Sequence, residues 1–262
     1  MTAAFVTLAA ALDAAPAPLD FFLRDDDTGW DDAALFALLD CTGEAGVPID
    51  LAVIPQATGA ALAARLLGRK AAAPRLIGLH QHGFAHQNHE TTERKCEFGP
   101  SRTPEAQRAD LAAGRALLLE RFGDQLDPIF TPPWNRCSPG TPALLAELGF
   151  GALSRSRGAP AQQALPELPV DVDWCKHQRL AREQGEAEGP RVAHELAGRV
   201  ASGGPLGLML HHAAMDAADL ALLSRLLHLI AGHSRVRCWP MRELLARPPT
   251  LPPSTAPAES LS

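Results

Sequence analysis

The hydrophobic positions of the chain fall in short continuous runs separated by longer segments of helical periodicity. Phe21, Phe22 and Leu23 form one such run, stopped abruptly by R-D-D-D-T-G. A run of that length bounded by turn residues predicts a strand buried on both faces. Asp31 then starts a helix whose Leu35, Leu38 and Leu39 make one face, ending at Gly46. Residues 49–54 predict a second strand, and the Ala/Leu-rich residues 58–69 a second helix. A third strand over 75–80 runs into a polar loop, after which Thr103 as cap and Pro104 at the first helical position open a long helix to Phe122. The alternation continues with strands at 128–130, 150–153, 166–174 and 205–212, a polar loop after Trp174, and helices at 142–148, 191–201 and 216–230. A last short strand is expected at 235–239. Elements in this order imply a parallel sheet, and such sheets gather their chemistry beyond the carboxyl ends of the strands.

At 262 residues, 46% of them hydrophobic, the chain suits one α/β domain of barrel size with a large core. Residues 1–20 read as an N-terminal helix or extension, with Leu8 and Leu12 on its packed side, and residues 247–262 as a disordered Pro/Ser/Ala-rich tail. The net charge of -6 and the lack of a basic stripe argue against a nucleic-acid partner; Arg65, Arg69, Lys70 and Arg75 read as a solvated helix face and its exit. Five cysteines with no C-x-x-C pair predict reduced thiols. No Lys or Arg precedes the apolar N-terminal stretch, so a cytoplasmic location is expected, with secretion left open. No run approaches transmembrane length.

Four of the ten histidines lie in H-Q-H-G-F-A-H-Q-N-H, residues 80–89, directly behind the third strand. Imidazoles three to five residues apart close onto one divalent ion when a distant residue supplies a third ligand. His82 and His86 have that spacing, as do His86 and His89, and Gly83 permits a sharp turn between strand and loop. The bland alternative is a polar loop whose histidines bond to backbone and water. Position decides between them: Asp25 to Asp27, His80 to His89, Trp134 to Arg136, Asp173-Trp174 and His211-His212 each close a predicted strand. Reactive residues from five separate strands meeting at one rim point to a metal site there.

Taken together these residues resemble the NodB-homology polysaccharide deacetylases, carbohydrate esterase family 4, over about residues 21–239. The family's paired aspartates look like Asp26-Asp27, its H-x-x-x-H like His82 to His86, and its R-x-P-W-like segment like residues 130–134. Asp173-Trp174 and Leu210-His211 resemble its two later elements. The resemblance implies a distorted (β/α)7-type, TIM-like barrel and a metal-dependent deacetylase acting on an N-acetylated amino sugar. It implies that Asp27, His82 and His86 hold a divalent metal, Zn2+ first with Co2+, Ni2+ or Mn2+ as alternatives. Asp26 becomes the general base and His211 the acid, with Asp173 orienting that imidazole. Pro133, Trp134, Trp174 and His212 are then expected to line the sugar cleft.

Three departures from the family pattern stand out. The triple aspartate also admits Asp25-Asp26 as the functional pair. Thr131 occupies the place of an arginine that supports the base, so either Arg24 or Arg136 substitutes for it or that support is missing. His212 stands where an aspartate is usual. These departures keep open a barrel that binds glycan without turnover, and the ligand set also admits an Fe(II) oxygenase. Cys96, Cys137 and Cys175 lie in loops on the same side and stay as thiolate candidates.

Overall fold

The structure, a computed structural model, describes residues 3–91 and 94–247. Of the tail expected over 247–262, all but Arg247 lies outside the described residues. Helix α1 (Val6–Asp13) precedes β1 (Leu19–Thr28), and the pattern then runs α2 (Asp32–Ala45), β2 (Ile49–Val53), α3 (Ala60–Ala72), β3 (Ile77–His82), α4 (Pro104–Phe122), β4 (Ile129–Thr131), α5 (Thr141–Glu147) and β5 (Ala152–Leu153). The second half comprises β6 (Val172–Asp173), α6 (Trp174–Glu183), α7 (Pro190–Val200), β7 (Leu206–Leu210), α8 (Ala217–Gly232), β8 (Val236–Cys238) and α9 (Met241–Leu245).

All strand pairs are parallel, in the order β5-β4-β3-β2-β1-β7-β6, with β8 along the start of β1. Between β5 and β6 the circle is carried by irregular backbone: Leu168 N donates to Leu153 O at 3.0 Å, Val170 N to Arg155 O at 2.9 Å and Asp171 N to Gly207 O at 2.8 Å. The result is the distorted seven-stranded α/β barrel that the alternation of elements and the resemblance imply.

Within each apolar run a period of two divides the side chains. Phe21 and Leu23 on β1, Leu79 on β3 and Leu206, Leu208 and Leu210 on β7 pack outward against the helices in the main core. The alternate positions turn into the lumen, where Phe22 and Met209 join Ile129, Val170, Met241 and Leu244 to plug one end. Arg24, Asp26, His80 and His82 lie further along the same inward rows, buried yet polar. Outward leucines hold the barrel, and inward polar residues furnish it.

The helix signals act as expected: Asp31, Thr103 and Asp216 cap α2, α4 and α8 by accepting from a backbone N–H three residues on. Other boundaries differ. The strand expected at 75–80 runs two residues later and carries His82 within it, and the one expected at 150–153 shrinks to Ala152–Leu153. The strand expected at 166–174 is reduced to Val172–Asp173: Glu167 and Val170 make only isolated bridges, and the Asp173 carboxylate accepts from Lys176 N at 3.0 Å and so starts α6. Trp174, Gln178 and Ala181 form the buried stripe of that helix where a polar loop was expected. Lys70 is not on a solvated face: it is buried and donates to Ile77 O at 2.5 Å. Among the described residues no helix is long and apolar enough to cross a membrane.

Candidate active site

Three aspartates in a row should point alternately to opposite faces of a strand. The first does face away: Asp25 accepts from the His212 ring at 2.6 Å and from His212 N at 2.9 Å, outside the lumen. Asp26 faces in. Asp27 should face out again, but the register with β2 shifts between Asp25 and Thr28, and Asp27 adopts a left-handed φ of 70°. Such an irregularity re-aims a side chain, so Asp26 and Asp27 open on the same site and form its acidic pair.

Asp27 meets the histidines there. Its Oδ1 lies 3.2 Å from His82 Nε2 and 3.1 Å from His86 Nε2, and one ligand atom from each of the three residues lies within 4.8 Å of the others. His82 Nδ1 lies 3.0 Å from Thr131 O, a contact that needs the proton on Nδ1 and turns Nε2 toward Asp27. Burial alone would push the Asp27 carboxyl up; hydrogen bonds from His82 and His86 outweigh it and hold the group well below the carboxylate range. One carboxylate and two imidazoles converging on a common point fit a divalent transition metal. His89 is not part of this group.

The loop that delivers His86 is shaped by a residue without a sequence signal. The buried carboxylate of Glu97 accepts from Phe84 N at 3.1 Å, Ala85 N at 2.8 Å and Gln87 N at 3.3 Å. Gly83 is required beside it, with φ at +60° and space so tight that a Cβ would sit 2.1 Å from Glu97 Oε2. His86 itself has φ 54°, as have Trp134 (55°) and Asn135 (58°), so left-handed backbone concentrates around this site. Asn88 ties its own loop together through Glu90 and Cys96 rather than orienting His86.

Asp26 is gripped by Arg24, Nε to Oδ1 at 2.8 Å and Nη2 to Oδ2 at 2.9 Å. Arg24 is in turn fixed by Ser154 Oγ at 2.8 Å and Asn135 Oδ1 at 2.6 Å. Burial favours the protonated acid, yet the Arg24 charge, helped by His82 and His211, keeps Asp26 below its ordinary value. Arg136, expected in this part, points elsewhere and donates to Lys95 O at 3.0 Å. Thr131 uses its hydroxyl on His80 Nε2 at 2.9 Å, and burial, then the Arg24 charge, drives His80 down to about 3, leaving it neutral.

Two expected cleft residues are corrected. Trp174 is fully buried on the inner face of α6, and His212 is buried in its pair with Asp25, its other ring nitrogen 2.6 Å from Trp30 O. Neither lines the cavities that hold Asp26, His86 and His211. The aromatic walls are Trp134, 4.4 Å from the His86 ring, and Trp30, which the sequence reading passed over, 4.7 Å from it and 40% exposed. Pro133 is buried against Gly83. His211 stands at the end of β7 with Nδ1 3.9 Å from Asp173, and both share a cavity with Trp134. Burial pushes the thiols of Cys137 and Cys175 up to about 11 and about 12, which removes them as nucleophiles at neutral pH.

No protein-family profile and no curated protein sequence matches this chain. Solved structures do. A Mycobacterium smegmatis protein assigned as a polysaccharide deacetylase superposes with a TM-score of 0.61 at 20% identity, covering 92% of this chain and 99% of its own. The chain carries the deacetylase fold of carbohydrate esterase family 4. A Clostridium thermocellum family 4 acetyl xylan esterase in complex with a cobalt ion shares that fold at TM-score 0.56 and 15% identity, over 87% of this chain and 90% of its own. So does a family 4 pseudoenzyme of Bacillus anthracis, at 0.55 and 11%, over 88% and 66%. The deacetylase fold is therefore shared by active and inactive proteins, and the site residues have to carry the functional argument.

Proposed function

We propose that the protein is a metal-dependent hydrolase that removes an acetyl group from the nitrogen of an amino sugar. The observation that carries this reading is the convergence of Asp27, His82 and His86 beside an Asp26 held ionised by Arg24. A divalent cation on those three ligands supplies polarisation of the acyl carbonyl and acidification of a water molecule. Asp26 takes up the proton of the attacking water, and Arg24 keeps it unprotonated until then. His211 gives a proton to the departing nitrogen as the C–N bond breaks, leaving acetate and a free amine. Asp173, 3.9 Å from His211 Nδ1, is placed to orient that imidazole. Trp134 and Trp30 offer flat apolar faces for a pyranose ring on either side of His86.

The cobalt-containing esterase of the same fold supports a divalent ion, with Zn2+ the first candidate for this donor set. Its named activity on acetyl xylan makes the bond type the point to test. Acetate release from N-acetylglucosamine oligomers and from an O-acetylated xylan, with and without added metal, separates amide from ester hydrolysis. Turnover of the ester alone sinks the amide assignment. The inactive-barrel reading keeps one support, the pseudoenzyme of the same fold. Its sequence motives weaken, because Arg24 stands in for the missing arginine and His212 has its own partner in Asp25. The oxygenase reading finds no support in an α/β barrel.

A further inference from the structure

Beyond the metal ligands, the cleft wall is lined by cations drawn from separate loops. A cavity of about 570 Å³ leads from His211 and Trp134 past Arg94, Arg136, Lys176 and Arg179. Lys95 joins the adjoining space that holds Asp26, Asp27, His82 and His86. Both carboxylates that line this cavity already have partners. Asp171 pairs with Arg157 and lies 3.8 Å from Arg199, and Asp173 caps α6 and lies 3.9 Å from His211.

Among the described residues Lys95, Arg136 and Lys176 face no carboxylate at ion-pair distance. The Arg136 guanidinium donates to a backbone carbonyl, and burial together with the like charge of Arg94 pushes it below its ordinary value. A chain of net charge -6 that gathers unpartnered cations on one wall holds them there against mutual repulsion. An incoming anion relieves that repulsion, and a guanidinium matches the two oxygens of a phosphate or carboxylate.

We propose that this wall is a subsite for an anionic group, phosphate or carboxylate, borne by the same sugar whose acylamino group reaches Asp26. The placement of the sugar's other end rests on the deacetylase reading; the binding of the anion does not. The substrate class is then a charged amino-sugar unit rather than a neutral glycan polymer.

Calorimetric titration of the full chain with N-acetylglucosamine 1-phosphate, N-acetylmuramic acid and neutral N-acetylglucosamine tests this. The better charged sugar should bind about tenfold or more tightly than the neutral one, an advantage that shrinks as salt rises. Whether the phosphate or the carboxylate wins identifies the group. Arg136→Gln with Lys176→Gln should remove the preference while the melting temperature stays put, and each single change should reduce it. A His82→Ala/His86→Ala variant should keep the preference; its loss there would put the anion on a bound cation and overturn the subsite. Equal affinity for all three sugars, or a preference indifferent to Arg136 and Lys176, overturns it too. Acetate release does not enter this readout, so a retained preference without hydrolysis counts against the deacetylase reading alone.

Discussion

Arg24 and Asp26 meet inside the barrel through both carboxylate oxygens, at 2.8 and 2.9 Å, from positions two apart on a single strand. The period of the strand puts both on the inward face, so the base carries its counter-charge on its own element. Thr131, where the family pattern has an arginine, is free to hold His80 instead.

Replacing Arg24 should therefore act on the base before it acts on the metal. Arg24→Met should lower kcat/KM by about 100-fold and move the acidic limb of the pH profile upward, since Asp26 loses the charge that opposes its burial. Bound metal per chain should be unchanged. Adding Thr131→Arg should recover part of the rate by returning a guanidinium to the lumen. An unshifted acidic limb in Arg24→Met would remove Asp26 as the base.

The metal and the base should separate cleanly. Elemental analysis should find about one divalent ion per chain in the wild type and little in His82→Ala or His86→Ala, because each change removes one of three protein ligands. Asp26→Asn should keep the ion and lose turnover by about 1,000-fold. Wild-type hydrolysis by Asp26→Asn would end the mechanism given above.

The Asp25–His212 pair predicts a pH-dependent stability. Burial pushes His212 down, but the charge of Asp25 2.6 Å away outweighs it and raises His212 to about 9. A raised folded value stabilises fully below the unfolded value near 6.5 and is lost as pH climbs through 9, a contribution of about 3 kcal/mol. Melting temperature should fall between those limits in the wild type, and His212→Asn should flatten that fall while destabilising the protein at pH 6. Equal slopes for the two proteins would contradict the pairing.

At the opposite end of the barrel Asp50 accepts from Met241 N at 2.9 Å and is raised to about 7, by burial first. Here too the contribution is present below the unfolded value, near 3.8, and lost as pH rises through 7. Asp50→Asn, which mimics the protonated acid, should gain on the order of 1–2 kcal/mol over the wild type at pH 8 and nothing at pH 4. Denaturant melts at the two pH values check this. Gly78 should not tolerate alanine, because a Cβ there would sit 1.9 Å from Asp50 Oδ1.

Much of the barrel was legible because its cause is local. Apolar runs stopped by turn residues, caps at Asp31, Thr103 and Asp216, and Pro104 at a helix start depend on neighbours within four residues. Strands β5 and β6 were the poorest reading, and these short edges are held by irregular bridges whose partners lie more than ten residues away. The N-cap role of Asp173, which ends β6 and starts α6, was concealed because aspartate serves equally as cap, ligand or catalytic partner.

By itself the sequence determined the alternation of strands and helices, the placing of the aspartate run and the histidine stretch where strands end, and, through the family resemblance, the candidates for a carboxylate and two-histidine group. The tertiary structure alone decided which neighbour each of these faces. A backbone irregularity at Asp27, not its place in R-D-D-D-T-G, turned it toward the histidines, and strand period sent Asp25 to His212. Likewise no basic stripe exists along the chain, yet Arg94, Arg136 and Lys176 line one wall, because a barrel brings loops from distant strands to a common rim. Local periodicity dictates elements; side-chain direction and long-range contact, which no short window contains, dictate the site.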